Sequence, residues 1–332
     1  MDGKTIIFVL FVWIFPLNVE GDSRYYEKAK TEGNVVLYTS LAGADTEPFK
    51  KAFEKRYPGI TVEIYRSGGP KVLQKILAEQ SAGREAVDVV LTQGPVLYAL
   101  RQKHMLAKFD SPERNAFDER FKDSEGYWTD VYPTVHSIVY NVKMVTGPDI
   151  PRRYTDLLDG KWKGKLGLNQ NNYMFVANML HLYGKEKGMD YLKRLADQQP
   201  QVRAGGTLTA TLVGAGEFPV AASVNANNVD NVKEKGAPVN WARVDEPYYG
   251  EPHPVSVMTN APHPNAARLL AEFAISKEGQ QLISDFGKMP ARSDIQPKIG
   301  IDRSKLRILP PEEEAKTAYY QNLFMNLFVK RQ

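Results

Sequence analysis

The side chains best placed to do chemistry in this chain are amides, hydroxyls and glycine-flanked N–H groups at points where strands give way to helices. Their chemistry is hydrogen bonding rather than bond breaking. Asn169-Gln170-Asn171-Asn172-Tyr173 follows the strand-like run Lys165 to Leu168, and Asn225, Asn227 and Asn228 follow Val220-Ala221-Ala222-Ser223-Val224. Amides donate and accept in fixed geometry, which suits the hydroxyls and carboxylates of a small polar solute, and Tyr173 could stack on its apolar face. Loop asparagines are also good turn formers. Ser67-Gly68-Gly69 before Pro70, and Gly205-Gly206-Thr207 before Leu208 to Val213, put free backbone N–H groups at helix N-termini. A phosphate, carboxylate or phosphonate there gains roughly 0.3–2 kcal/mol from each helix dipole. The alternative is ordinary capping, with Ser67 and Thr207 bonding their own helices.

Covalent and metal chemistry have less to stand on. There is no Gly-x-Ser-x-Gly elbow, His-Glu-x-x-His or P-loop, and Gly214-Ala215-Gly216 lacks the third glycine and preceding strand of a dinucleotide fingerprint. The histidines His104, His136, His181, His253 and His263 show no spacing of three or four residues on one helix, so they read as structural rather than as a zinc site. Tyr248-Tyr249, with His253 close by in Glu251-Pro252-His253-Pro254, is the one grouping suited to a hard cation, and hinge packing is its other reading. Neither catalytic residues nor a cofactor is expected.

The elements that would position these groups begin after an apolar leader. Ile6 to Leu17 is too short for an ordinary membrane span, and Val19 with Gly21 supplies the small residues of a cleavage site, so 1–21 reads as a signal peptide. The chain has no cysteine, hence neither a disulfide nor a lipid-bearing thiol, and the expected location is the periplasm. A formal net charge of +4 over 332 residues, with lysines and acids interspersed as in Lys50-Lys51-Ala52-Phe53-Glu54, argues against nucleic acid. Val35 to Tyr38 forms a strand, and a helix follows, capped by Thr46 and carrying Phe49, Phe53 and Tyr57 at i, i+4 and i+8. Pro58-Gly59 stops it, and Ile60, Val62 and Ile64 alternate as a second strand. Ligands of an open parallel sheet sit outside its carboxyl edge, which brings Ser40 and Ser67 to Gly69 into consideration.

A mature chain of this length exceeds what one core usually serves, so two lobes are expected. Val135 to Asn141 and Pro254 to Met258 read as extended segments crossing between them. Residues 22–141 and 254–332 then form lobe 1 and residues 142–253 form lobe 2. Helices are expected over Gly188 to Gln198, Val229 to Glu234, Ala266 to Ile275 and Gly279 to Phe286.

Several short pieces, in this order and spacing, carry a resemblance. They are Val35-Val36-Leu37-Tyr38-Thr39-Ser40, Val87-Asp88-Val89-Val90, Tyr140-Asn141, Tyr154-Thr155-Asp156-Leu157-Leu158, Trp162-Lys163-Gly164-Lys165-Leu166, Pro264-Asn265-Ala266-Ala267 and Met289-Pro290-Ala291-Arg292. The chain resembles extracytoplasmic solute-binding proteins of ABC importers, in the group that includes periplasmic ferric-ion-binding proteins. The resemblance implies a type II periplasmic-binding-protein fold, two α/β lobes with each sheet flanked by helices and a two-segment hinge. It also implies iron ligands that this chain does not keep: the histidine place falls on Ala42, the glutamate place on Gln93 and the tyrosine pair on Ala226-Asn227. The family's anion-contacting segment falls on Asn172-Tyr173-Met174, without its small Ser-Gly residues.

The resulting expectation is a monomeric receptor, not an enzyme, that binds a small polar or anionic solute between its lobes and delivers it to an ABC importer permease. The expected ligand-binding residues are Ser40, Ser67, Gly68, Gln93, Asn172, Tyr173, Thr207 and Asn225. The alternatives are a metal receptor rearranged around Tyr248, Tyr249 and His253, and an exported enzyme or sensory component on the same scaffold.

Overall fold

The computed structural model describes residues 23–330, so the expected leader at 1–21 lies outside the described residues. The first part of the chain alternates helix and strand: α1 (Ser23–Glu32), β1 (Asn34–Thr39), α2 (Gly43–Arg56), β2 (Thr61–Arg66), α3 (Gly69–Ser81), β3 (Val89–Leu91) and α4 (Gly94–Gln102). β1 pairs in parallel with β2 on one side and β3 on the other. The alternation read at 60–64 is the local cause of β2, where Val62 is buried between exposed Thr61 and Glu63. On α2 the aromatic stripe works as expected: Phe49 and Phe53 set their rings 5.3 and 5.7 Å from that of Phe273. Thr46 does not cap this helix. The helix starts earlier, at Gly43, and the Thr46 hydroxyl donates back to the Ala42 carbonyl at 2.8 Å.

A long strand, β4 (Thr129–Asn141), then leads into a second parallel unit. That unit comprises β5 (Leu166–Asn169), α5 (Met174–Tyr183), α6 (Lys185–Asp197), β6 (Gln201–Arg203), α7 (Gly206–Ala215), β7 (Val220–Asn225), α8 (Ala226–Glu234) and β8 (Val239–Trp241). Here β5 pairs in parallel with β6 and β7. The chain returns along β9 (Tyr248–Val257) and ends with α9 (Pro264–Ile275), α10 (Lys277–Asp285), β10 (Leu306–Ile308), α11 (Pro311–Glu314), α12 (Thr317–Phe324) and a π-helical turn at Met325–Val329.

The strand order is β2-β1-β3-β9-β4-β7-β5-β6, with β10 added on β9 and β8 on β4. Two parallel half-sheets are therefore joined through the antiparallel pair β9 and β4. β4 lies against β9 over 129–136 and against β7 over 136–140, with register shifts at 130–132 and 137–139 that mark bulges and added twist. All thirteen residues of β4 are buried. The return crossing begins at Tyr248 rather than Pro254. Gly250 permits this, since a Cβ there would stand 2.6 Å from Ile308 Cδ1 and 3.2 Å from Pro133 Cβ.

The last helices touch both units. α11 packs on α4, but α12 packs on α5 and the π-turn on α6, so the last described residues reach across to the second unit. The buried rings of Phe324 and Phe328 explain why: they need an apolar partner, and α5 and α6 supply it.

Candidate functional site

Between the half-sheets lies a cleft of ≈ 700 Å³. Its walls are the carboxyl ends of the parallel strands. Gln93 stands beyond β3, Asn169, Asn171, Asn172 and Tyr173 at and beyond β5, and Asn225 at the end of β7. Helix N-termini converge on the same space, through Pro70 of α3, Pro95 and Val96 of α4, Met174 of α5, and Asn225, which precedes α8. No side chain caps α3, α4 or α5. α8 is capped by Asn225, whose Oδ1 accepts from the Asn227 N–H at 2.9 Å.

The floor is the β4–β9 ladder itself. Three cross-strand neighbours, Tyr132 with His253, Thr134 with Glu251 and His136 with Tyr249, fall on one face because side chains alternate along a strand. Thr134, His136, Glu251 and His253 line the cleft. The His253 ring stacks on Tyr132 at 4.5 Å between centroids, and His136 stacks on Tyr249 at 5.4 Å.

Asn172 organises one side of this floor. Its Nδ2 donates to Ser223 through the hydroxyl and, at 3.3 Å, the carbonyl, and stands 2.7 Å from His136 Nδ1. Ser223 sits at φ 60°, a left-handed conformation that costs a non-glycine residue roughly 1–2 kcal/mol. Since Nδ2 can only donate, His136 Nδ1 accepts and the ring proton sits on Nε2, which faces Glu251 Oε2 at 3.5 Å. Burial raises the proton affinity of Glu251, but the His136 contact and the neighbouring imidazoles outweigh it and hold the carboxyl below its usual range. Burial lowers the pKa of His253. Behind the floor, Asp130 accepts from the His253 N–H at 2.7 Å, and burial pushes its pKa up to about 8.

Of the residues chosen from sequence, Gln93, Asn172, Tyr173 and Asn225 line the cleft. Ser40 stands one step behind it: the Thr92 hydroxyl reaches Ser40 Oγ at 3.0 Å and Gln93 Oε1 at 2.8 Å. Ser67, Gly68 and Thr207 are not among the lining residues. Ser67 donates its backbone N–H to the Thr39 carbonyl, Gly68 is the residue before α3, and Thr207 is exposed on the first turn of α7. Thr134, His136, Glu251 and His253 also line the cleft and were not among the residues chosen from sequence. Their signal is polar residues at every second position of otherwise apolar crossing strands, 134 and 136 on one and 251 and 253 on the other.

The tyrosine pair cannot close on one ion. Strand alternation sends Tyr248 to Trp241, 6.1 Å between ring centroids, while Tyr249 faces His136 on the other side. Of the places implied for iron ligands, Ala42 precedes α2, Gln93 precedes α4, Ala226 opens α8, and Asn227 donates its amide to the Gly287 carbonyl at 2.6 Å. A second cavity of ≈ 660 Å³ lies beyond α4, but its cations are engaged: Arg101 with Asp123 and Glu125, Arg120 with Asp118, and Lys122 with Glu119.

Residues 84–309 match the family model of bacterial extracellular solute-binding proteins. The chain belongs to that family. A Salmonella typhimurium protein named "Putative 2-aminoethylphosphonate-binding periplasmic protein" is 28% identical over 285 residues, covering 80% of this chain and 81% of its own. The Fe(3+)-binding periplasmic protein of Serratia marcescens is 21% identical over 271 residues, covering 77% and 78%. Among solved structures, iron-bound HitA from Pseudomonas aeruginosa aligns with TM-score 0.75 at 22% identity, covering 89% of this chain and 99% of that one. AfuA from Actinobacillus pleuropneumoniae, with fructose-6-phosphate bound, aligns with TM-score 0.73 at 23% identity, covering 90% and 99%. The structural likenesses show the fold, a type II periplasmic binding protein. This solute-binding protein is thus a receptor of the ABC-importer class and not an enzyme. Among the described residues no helix is long and apolar enough to cross a membrane.

Proposed function

We propose that this receptor binds a small polar solute bearing an oxyanion in the cleft, in the periplasm after removal of 1–21, and hands it as a monomer to an ABC importer permease. The lobes are residues 22–141 with 254 to about 310, and 142–253 with the tail. The observation that carries the reading is the convergence of four helix N-termini on one space walled by asparagine amides, without a lysine or arginine among its described lining residues. Oriented N–H groups and amide donors bind an oxyanion without a counter-charge. Two relatives fit the class: the Salmonella protein is named for a phosphonate, and the AfuA structure holds a phosphate ester.

Ferric iron suits the site poorly, since Ala42, Ala226 and Asn227 offer it no anionic oxygen and the tyrosine pair is split between two faces. The test is a thermal-shift panel on residues 22–332 with phosphonates, phosphate esters, carboxylates, sulfonates, polyols and ferric iron. A solute at about a hundred times its Kd stabilises by roughly 2.7 kcal/mol, a shift of several degrees. Shifts confined to oxyanion-bearing compounds are expected. A response to iron or polyols alone would overturn the reading.

A further inference from the structure

The charges around the cleft are lopsided. Its described lining residues include one carboxylate, Glu251, and no lysine or arginine. The Glu251 side chain is 29% exposed, on the cleft side of the β4–β9 ladder. His136 Nε2 stands 3.5 Å from its Oε2, longer than a good hydrogen bond, and Nε2 has no hydrogen-bond partner among the described residues.

The Asn172 amide fixes what His136 can do there. Nδ2 also lies 3.3 Å from the Ser223 carbonyl, which needs a donor, and with the amide nitrogen on that side His136 Nδ1 accepts. That leaves Nε2 as the His136 atom facing Glu251, at 3.5 Å. The floor therefore presents a negative, under-bonded group to whatever enters.

The far wall is the reverse. Asn169 Oδ1 is taken up by the N–H groups of Asn171 at 3.1 Å and Gly205 at 3.2 Å, and Asn225 Oδ1 by that of Asn227 at 2.9 Å. What these amides have left is NH₂. Asn228 adds a third, packed so closely on Gly206 that a Cβ there would stand 2.5 Å from Nδ2. One end of the cleft accepts and the other donates.

We propose that the solute is a zwitterion, with a primary ammonium on Glu251 and an oxyanion on the amides of Asn169, Asn225 and Asn228. This rests on the reading of the cleft as an oxyanion receptor and adds its selectivity. Glu251 attracts the ammonium and repels anions that lack one, so discrimination comes from repulsion as well as attraction. Thr134, its cross-strand neighbour, completes the acceptor end.

The test uses titration calorimetry on residues 22–332 with matched pairs: 2-aminoethylphosphonate and ethylphosphonate, taurine and ethanesulfonate, β-alanine and propionate. In at least one pair the aminated member should bind tenfold or more tightly, about 1.4 kcal/mol. Glu251→Gln should abolish that ratio by weakening the aminated member. Equal binding within every pair overturns the zwitterion and leaves the oxyanion receptor standing; binding of no member of any pair overturns both. A preference that survives in Glu251→Gln also overturns it. If that variant does not fold, the wild-type ratios still decide.

Discussion

At the residue scale the cleft depends on a few polar groups whose roles follow from what they cannot do. An amide nitrogen cannot accept, so Asn172 sets the His136 tautomer, and the strained Ser223 beside it is held by both bonds it takes from the same amide. Asp130 cannot find enough donors in full burial, and its Oδ2 has no partner. Burial moves its pKa from the ordinary 3.8 to about 8, so the folded state holds the proton more tightly than the unfolded chain. The stability this gives is fully present below its unfolded value and is lost as pH rises toward the folded one. Asp130→Asn, which keeps the acceptor for His253 without titrating, should therefore gain on the wild type as pH goes from 4 to 8. The gain should reach at most about 1.4 kcal/mol per pH unit. Melting temperatures across that range check this, and a constant difference between the two proteins would contradict it. The sequence showed Asn172 and Asn225 because amides at strand ends form a local pattern. It hid Glu251 and His136, whose meaning comes only from the ladder that sets them side by side.

At the element scale the parallel units were legible wherever a local pattern was strong. Val62 between Thr61 and Glu63, Phe49 with Phe53, and the run at 220–224 all became the expected strands and helix. Thr46 misled because a threonine inside a first turn has the same neighbours in sequence as a cap. Whether it bonds forward or back depends on where the preceding strand releases the chain. Close approach is another thing sequence does not show. In β5 a Cβ on Gly167 would stand 2.2 Å from the ring of fully buried Phe218. Gly167→Ala should cost roughly 1–3 kcal/mol in chemical denaturation, and Phe218→Leu in the same chain should recover part of it. An unchanged midpoint for Gly167→Ala would show that the ring has room to move.

At the scale of the whole molecule, β4 and β9 are at once the two crossings and the floor of the cleft, so a solute held there would share residues with the hinge. A ligand held by Gln93 on one side and Asn225 on the other favours whichever lobe arrangement lets both reach it. Small-angle scattering of residues 22–332 should show the radius of gyration falling as a bound solute from the oxyanion panel saturates the cleft; an unchanged curve at saturation would mean a preformed closed cleft. The tail adds a constraint, since α12 and the π-turn anchor on α5 and α6 while α11 stays on α4. By itself the sequence determined the α/β class, two crossings, the family resemblance, the departure from its iron ligands and the amides at strand ends, because each is written in neighbouring residues or their periodicity. Only the tertiary structure decided which face the residues of β4 and β9 present, that Tyr248 and Tyr249 part company, that Thr207 and Gly68 stand outside the cleft lining, and that a carboxylate lines the same cleft as the amides. Those facts depend on register between strands more than a hundred residues apart, and a shift of one residue would have turned every one of those side chains to the other face.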